Sequence, residues 1–431
     1  MLKLGIYIKA ALPALLFFAA CSREQSDVFV PAALAGTAVS DTSSVWHKAL
    51  FCSPEAADGG SIAVFGGFPE TAVLTESLLT ADMFDNIDGK LCHDGLADFA
   101  GETVTPIFDM VNAPYQGYFD RMNEDYIREV AVKGFLTAVS DRCSSSVFDR
   151  SFSASKPSAK LVILSSTILA GFGYMDIVYL VSASARNTGV LNTVNSSVAS
   201  LFSKAVQASN IGVWASRDII SSGVYGTVFS GIRETYSDKQ SPEYRDWAKT
   251  SEIVCLSSEE GETPEETVTA FLSSYIDAEY DTPLSGVIVD DLEKAGMVNS
   301  LNAVVDSIMV SDAPEDVRYR SVMAPGFRFV SPAECITADS YRWMRKNDRF
   351  THLIAPPQVY GYMTVTSSDV QARSLDSDGM LLDDFKYDRA QDSDIETFCF
   401  TPVSQSCFSA VTLERLEALA PETYKRLVYV Y

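Results

Sequence analysis

The chain has 431 residues, of which 47% are hydrophobic and 21% are charged. These proportions exclude a disordered, collagen-like or coiled-coil chain, and the length predicts two or three domains. With 57 acidic and 33 basic residues the net charge is −24, so the chain is a poor candidate for binding nucleic acid, because phosphate recognition needs a basic surface.

The first twenty residues have the pattern of an export signal. Lys3 and Lys9 are basic, and residues 10–18 are apolar but too few to span a bilayer. Ala19-Ala20-Cys21 follows, and this end resembles the lipobox of bacterial lipoproteins. The resemblance implies that Cys21 carries fatty acyl chains, such as palmitate, and becomes the N-terminus of the mature protein. An ordinary secretory signal with a chance cysteine is the alternative.

Acylation at Cys21 predicts a lipid-anchored protein of the bacterial cell envelope, facing the periplasm or the cell surface. Ser22, rather than Asp, follows the cysteine and favours the outer over the inner membrane, by resemblance to known sorting behaviour. Residues 22–45 are rich in Ser, Thr, Ala and Val with little periodicity, which predicts a flexible tether. Residues 161–185 are apolar but contain Asp176, and they predict a buried strand and helix.

Seven cysteines remain after Cys21, so at least one is unpaired or pairs between chains. Cys399 and Cys407 stand eight positions apart around Pro402 and could close a hairpin with a disulfide. Cys255 lies inside an apolar run and is expected to be a small core residue.

Beyond Trp46, short apolar runs alternate with amphipathic helices. Helices are expected near Asn123 and after the capping boxes Thr263–Glu266 and Ser331–Glu334. Such strands without polar alternation, separated by helices, are typical of parallel sheets covered on both faces. The predicted strands form two series, 61–65, 103–109, 160–165, 189–195 and 211–216, then 224–229, 253–257, 286–289, 319–323 and 352–355.

The order of these elements over residues 55–365 resembles the type I periplasmic binding proteins, most specifically at Pro283-Leu-Ser-Gly-Val-Ile-Val-Asp-Asp291. The resemblance implies two doubly wound α/β lobes joined by a hinge, with a ligand in the cleft. Residues 85–102 are a longer insertion than that family needs. The predicted organisation is a signal peptide (1–20), a lipidated N-terminus and tether (21–45), lobe one (46–218), lobe two (219–365) and an acidic C-terminal region (366–431) that could pack across the lobes.

Polar and aromatic residues at the strand ends are the candidate ligand contacts. In an open α/β sheet, ligands bind outside the carboxyl ends of the strands, where Asp109 and the pair Asp290-Asp291 are expected. The pair could instead cap the following helix. Aromatic side chains there could stack on a ligand or simply line the core. The candidate ligand-binding residues are Gly67, Phe68, Asp109, Tyr115, Ser165, Ser166, Asp290 and Asp291.

No motif predicts a catalytic residue, a metal site or a cofactor. Asp376-Ser-Asp378-Gly379 fails as an EF-hand, because Ser374 and Phe385 occupy the first and twelfth ligand positions, and an acidic turn is the simpler interpretation. Cys92-His93-Asp94 has the residue types of a thiol triad, but adjacent residues do not usually point into one site. Enzyme signatures such as HExxH, GxSxG and the P-loop do not occur.

The sequence therefore predicts a non-enzymatic, lipid-anchored protein that binds a small neutral solute, such as a sugar or nucleoside, in a cleft between its lobes. The alternative is a surface or complex component that binds protein or glycan, which the long tether and the acidic C-terminal region favour. Expected partners are a small-molecule ligand, the membrane through the anchor and an envelope protein, but not nucleic acid.

Overall fold

The computed structural model describes residues 29–428, except 57, 205–207, 240–249, 258–262, 292–295, 352, 354, 392–394 and 404–406. Over these residues the chain is an α/β protein with mainly parallel sheets, which confirms the α/β part of the predicted fold class. It divides into two compact units. The larger unit consists of Phe29–Thr193 and Ile336–Tyr431, and the smaller unit of Val194–Cys335.

The elements of the first part of the larger unit are α1 (Ala33–Ser40), α2 (Val45–His47), a π-helical turn (Lys48–Cys52), β1 (Ser61–Gly66), α3 (Phe68–Thr80), β2 (Thr103–Phe108), α4 (Gln116–Asp120), α5 (Glu124–Val139), β3 (Arg142–Cys143), β4 (Ala154–Ser155), β5 (Ala159–Leu164), α6 (Thr167–Ser184) and β6 (Gly189–Asn192). The chain continues with α7 (Thr193–Lys204), β7 (Asn210–Ala215), α8 (Arg217–Ser221), α9 (Val224–Lys239), β8 (Ile253–Ser257), α10 (Pro264–Asp277), β9 (Leu284–Asp290), α11 (Val298–Val310), α12 (Pro314–Arg320), β10 (Met323–Val330) and α13 (Pro332–Lys346). It ends with β11 (Gln358–Val359), β12 (Tyr362–Thr366), a 3-10 turn (Ala372–Ser374), α14 (Asp383–Lys386), a second 3-10 turn (Ile395–Thr397), β13 (Phe398–Pro402), α15 (Ala410–Leu419) and α16 (Pro421–Val428).

A seven-stranded sheet forms the centre of the larger unit. Its order is β13-β12-β2-β1-β5-β6, with β11 also paired to β2, and every pairing is parallel except that between β12 and β13. Strands β1 and β5 are buried along their whole length. Continuous apolar strands of this kind are expected where a parallel sheet is covered on both faces.

The smaller unit contains a four-stranded parallel sheet in the order β10-β9-β7-β8. Its core joins this sheet to α10 and α11 through buried side chains that include Phe271, Leu272, Leu301 and Val305. Helix α10 starts with the predicted capping box, in which the Thr263 hydroxyl accepts a hydrogen bond from the N–H of Glu266 and the Glu266 carboxylate accepts one from the N–H of Thr263.

Helix α6 packs closely on α5. Gly173 faces Ala131 at a point where a Cβ atom would collide with the alanine methyl group, so glycine allows the two helices to approach. On the same side of α6, the buried Asp176 accepts hydrogen bonds from Arg128 at 2.8 and 2.9 Å. Of the helices described, α6 is the one long and apolar enough to cross a membrane by length and composition.

The predicted flexible tether over residues 22–45 is wrong for its second half. Residues 33–40 form α1, and Leu34, Ala35 and Ala38 are buried. The buried positions are mostly alanines, which contribute little hydrophobic periodicity. The helix is held instead by tertiary hydrogen bonds to its first amide groups, and no local pattern reveals those.

Two predicted strands are also wrong. Residues 224–229 belong to helix α9, in which Val224, Val228 and Ile232 are buried at helical spacing. The predicted strand at 319–323 begins instead at Met323 and extends to Val330. Pro325 and Gly326 interrupt that apolar run, and β10 tolerates them because it is an edge strand with a shifted register. The strand expected at 352–355 falls partly outside the described residues.

The observed division of the chain differs from the predicted boundaries. Strand β7, expected in lobe one, pairs with β8 and β9 in the smaller unit. Residues 336–365 and the C-terminal region belong to the larger unit, where β12 and β13 extend the sheet. Cys399 in β13 has a free thiol, so the suggested disulfide with Cys407 is not formed.

Candidate functional site

Asp109 follows β2 at the carboxyl edge of the seven-stranded sheet and is completely buried. Its Oδ1 accepts hydrogen bonds from the backbone N–H of Asn112 at 3.1 Å, from Asn112 Nδ2 at 2.8 Å and from Thr364 Oγ1 at 2.8 Å. Its Oδ2 accepts one from the hydroxyl of Tyr115 at 2.9 Å. Two predicted ligand contacts, Asp109 and Tyr115, are therefore bonded to each other inside the protein.

The phenol of Tyr115 acts as a neutral donor to this carboxylate. Burial, reinforced by the negative charge of Asp109, raises the pKa of Tyr115 well above its ordinary value. The four hydrogen bonds use both oxygens of Asp109, so a ligand would reach this carboxylate only after the bonds had opened.

Two basic side chains from the C-terminal region, which the sequence indicated to be acidic, also lie at this edge of the sheet. Arg389 is 1% exposed and donates hydrogen bonds to Asn112 Oδ1 at 2.6 Å and to the hydroxyl of Tyr118. Its guanidinium carbon lies 4.5 Å from the ring centroid of Tyr126. Lys386 is buried beside the same loop, and burial lowers its pKa to about 8.

The ends of β1 and β5 are packed against each other at this edge. The Oγ of Ser165 lies 3.0 Å from Thr71 Oγ1 and donates to the carbonyl of Phe65 at 3.1 Å. A Cβ atom at Gly66 would collide with Ser165 Oγ, so this close approach requires glycine. Ser166 precedes the first residue of α6, but its side chain does not cap that helix.

Gly67 is the N-cap residue of helix α3, and Phe68 is the first residue of that helix. The Phe68 ring packs on Phe108 and Phe408, with centroid distances of 5.3 and 5.8 Å. Phe68 is 7% exposed, so its position fits a core residue. The structure therefore brings together six of the eight predicted ligand contacts at one edge of the larger unit, namely Gly67, Phe68, Asp109, Tyr115, Ser165 and Ser166.

The other two contacts, Asp290 and Asp291, end strand β9 at the carboxyl edge of the smaller unit. The buried hydroxyl of Tyr225 donates a hydrogen bond to Asp290 Oδ2 at 2.9 Å. Both aspartates are half-buried, and Asp290 lies opposite Ala215 at the end of the neighbouring β7. Helix α11 begins at Val298 with Met297 as its N-cap residue, so neither aspartate caps that helix, and residues 292–295, which directly follow the pair, lie outside the described residues.

Other polar groups that the sequence singled out maintain local turns. Asp376 accepts hydrogen bonds from the N–H groups of Asp378 and Met380, as expected for an acidic turn. Asp94 accepts from the N–H groups of Asn86 and Leu96 and so holds the insertion together. Among the described residues, no three His, Cys, Asp or Glu side chains are grouped so that they could hold a metal ion.

Comparison with known proteins finds similarity only at the level of solved structures, since no family model and no curated protein matches. Glutamate racemase from Bacillus anthracis is 10% identical with a TM-score of 0.40, and the match covers 71% of this chain and 89% of that one. The Francisella tularensis enzyme, solved with D-glutamate, is 11% identical with a TM-score of 0.40, covering 73% and 90%. The Thermus thermophilus enzyme is 14% identical with a TM-score of 0.36, covering 71% and 88%.

These comparisons correct the predicted function. The similar solved structures are enzymes, which contradicts the prediction of a non-enzymatic protein, both as a binder of a small neutral solute and as a binder of protein or glycan. The TM-scores stay below 0.5, so glutamate racemisation is not assigned to this chain.

Proposed function

We propose that the chain is an α/β enzyme that removes a proton from a small polar substrate, with Asp290 as the proton acceptor. One observation carries this proposal: the Asp290 carboxylate ends a central strand of a parallel sheet, where one oxygen is held by the buried Tyr225 while the side chain stays partly exposed. A general base needs both an oriented carboxylate and access to substrate.

Asp290 suits this role better than Asp109 does. Both residues end strands at carboxyl edges, which is the usual position of ligand sites in α/β sheets. Asp109 is fully buried and both its oxygens accept hydrogen bonds from protein groups, whereas Asp290 is only half-buried and is thus within reach of a substrate. The adjacent Asp291 adds negative charge, which favours a neutral or positively charged substrate over an anion.

The test is conversion of a substrate panel by the purified protein in heavy water, followed by proton NMR. A panel of sugars, nucleosides, amines and both enantiomers of common amino acids, including glutamate, detects hydrolysis, isomerisation and carbon–hydrogen exchange alike. Asp290→Asn is expected to lower the rate by about 100-fold or more, because a positioned base contributes about 10²–10⁴-fold. Tyr225→Phe should lower it by about tenfold through loss of one hydrogen bond to a charged group.

Asp277→Asn is the matched control, since Asp277 lies in the same unit with its side chain 73% exposed and contacts only Arg318 in the hydrogen bonds described. It should convert substrate at the wild-type rate. The proposal fails if the wild type converts no member of the panel, or if Asp290→Asn and Asp277→Asn are equally active.

The location of the protein in the cell envelope is a second proposal. We propose that Cys21 is acylated and anchors the chain in the outer membrane, on the strength of the lipobox resemblance. Cys21→Ser should move the protein from the membrane fraction to the soluble fraction and abolish its labelling by palmitate, whereas Cys52→Ser should change neither.

The arrangement of the chain as doubly wound lobes, like those of type I binding proteins, is proposed only as a topology, without a solute-binding role.

A further inference from the structure

The described chain begins at a firmly held point on the larger unit. Residues 32–34 donate their three consecutive backbone N–H groups to the buried carboxylates of Asp176 and Glu129, at 2.6–2.9 Å. Arg128 bonds Asp176 and also donates to the carbonyl of Val30 at 2.6 Å. Whatever precedes Phe29 therefore leaves the protein at one fixed place, beside α5 and α6.

An apolar surface surrounds this point. The ring of Phe29 is 6.1 Å from that of Tyr179, and the ring of Phe119 is 6.0 Å from that of Phe172. Phe172, Met175 and Tyr179 recur at helical spacing along the outer side of α6 and are half-exposed. We call this surface the α6 patch, and its members are Phe29, Val30, Phe119, Met122, Phe172, Met175 and Tyr179, of which Phe29, Val30 and Met122 are 43%, 71% and 86% exposed.

We propose that the α6 patch rests on the surface of a lipid bilayer. The proposal depends on the anchor proposed at Cys21 and is independent of the proposed chemistry at Asp290. Only residues 22–28 separate Cys21 from Phe29. Eight residue steps span about 26–29 Å when fully extended and about 15 Å as a flexible coil. An acylated Cys21 would therefore hold the patch within a short distance of the lipid headgroups.

The chemistry of the patch fits the boundary between headgroups and acyl chains. Apolar and aromatic side chains on one side of a helix bind there, and tethering raises their effective concentration so that modest affinity is enough. Asp176 neighbours Phe172 and Tyr179 at helical spacing, but it is completely buried and paired with Arg128. Helix α6 is thus expected to lie on the membrane and not to cross it. The net negative charge of the chain favours binding to a zwitterionic lipid surface over an anionic one, because anionic lipid repels it.

The experiment tethers the mature chain from Ser22 by an N-terminal histidine tag to phosphatidylcholine vesicles that contain nickel-chelating lipid. Acyl chains brominated near the headgroup quench tryptophan, and Phe172→Trp reports the patch after subtraction of the emission of the unsubstituted protein. We expect about twofold quenching of the added emission, since interfacial groups sit about 5–10 Å into the boundary. Tyr179→Trp gives a second, independent reporter.

Val411→Trp is the control, because Val411 is 75% exposed on α15 of the same larger unit and stands outside the patch. Quenching at 172 and 179 with none at 411 supports the proposal. Equal quenching at all three positions, or none at 172 and 179, overturns it. The tag replaces the acyl chains, so this result is separate from the fractionation of Cys21→Ser, which tests the anchor alone.

Discussion

Arg389→Met is expected to lower the free energy of unfolding of the larger unit by about 3–5 kcal/mol. The guanidinium is buried and donates to Asn112, to Tyr118 and to Thr397. Methionine fills similar space but removes the donor to the buried oxygens of Asn112 and Tyr118, and each buried group that loses its partner costs about 1–3 kcal/mol. Asn112 in turn orients Asp109, so the loss should spread to the carboxyl edge of the sheet.

Native-state hydrogen exchange of peptides from β2 and β12 measures this loss in the larger unit alone. Arg373→Met is the control, because Arg373 is exposed and should change stability by less than about 0.5 kcal/mol. Arg389→Lys should fall between the two, since it keeps the charge but not the planar fork of donors. Equal exchange in Arg389→Met and Arg373→Met would show that the network contributes nothing to stability.

Glu129 is expected to make the larger unit less stable as the pH rises from about 4.5 to about 7. Burial raises the pKa of Glu129 to about 7 from its ordinary 4.5, and the neighbouring Asp176 adds to the shift although N–H groups of residues 33 and 34 oppose it. The folded state therefore binds the proton more tightly than the unfolded state does. Protonation of Glu129 therefore stabilises the folded state fully below about pH 4.5, and this contribution is lost as the pH passes 7.

Comparison of the wild type with Glu129→Gln isolates this effect from the other carboxylates. Between pH 4.5 and 8 the wild type should lose about 3 kcal/mol relative to the variant, because a rise in the pKa from 4.5 to about 7 corresponds to that free energy. Exchange of peptides from α5 and α6 is the measurement, and Glu124→Gln, in the first turn of α5, is the control. Parallel stability curves for wild type and Glu129→Gln would rule out the shifted carboxyl group.

The parallel strands were predictable because they are buried along their length. Runs such as 61–65, 160–165 and 253–257 contain too few polar residues to face water on either side, and each is a strand in the structure. The helix after Thr263 was equally clear, since its capping box and apolar face lie within one short segment. The general position of Asp109 and Asp290 at strand ends followed from the same pattern.

The surroundings of those aspartates could not be predicted in the same way. Arg389 reaches the loop after β2 from about 280 positions away, in a segment whose excess of acidic residues suggested only a solvated tail. Thr364 contacts Asp109 across 255 positions of the sequence, and Tyr225 contacts Asp290 across 65. Hydrogen bonds of this type depend on the folded arrangement of elements and have no periodic trace in the chain.

The larger unit is built from two separate stretches of the chain. This arrangement affects the order in which the protein folds during synthesis. The smaller unit is continuous, Val194–Cys335, so all its strands are available as soon as β10 has been made. The larger unit must wait for Thr364, Arg389 and β13 before its sheet edge and the Asp109 network can close. At about 5–20 residues per second, the growing chain carries the exposed first strands of the larger unit for several seconds after the smaller unit is complete. A translation stop between residues 336 and 402 should therefore release a polypeptide with a folded smaller unit and an open, aggregation-prone β2.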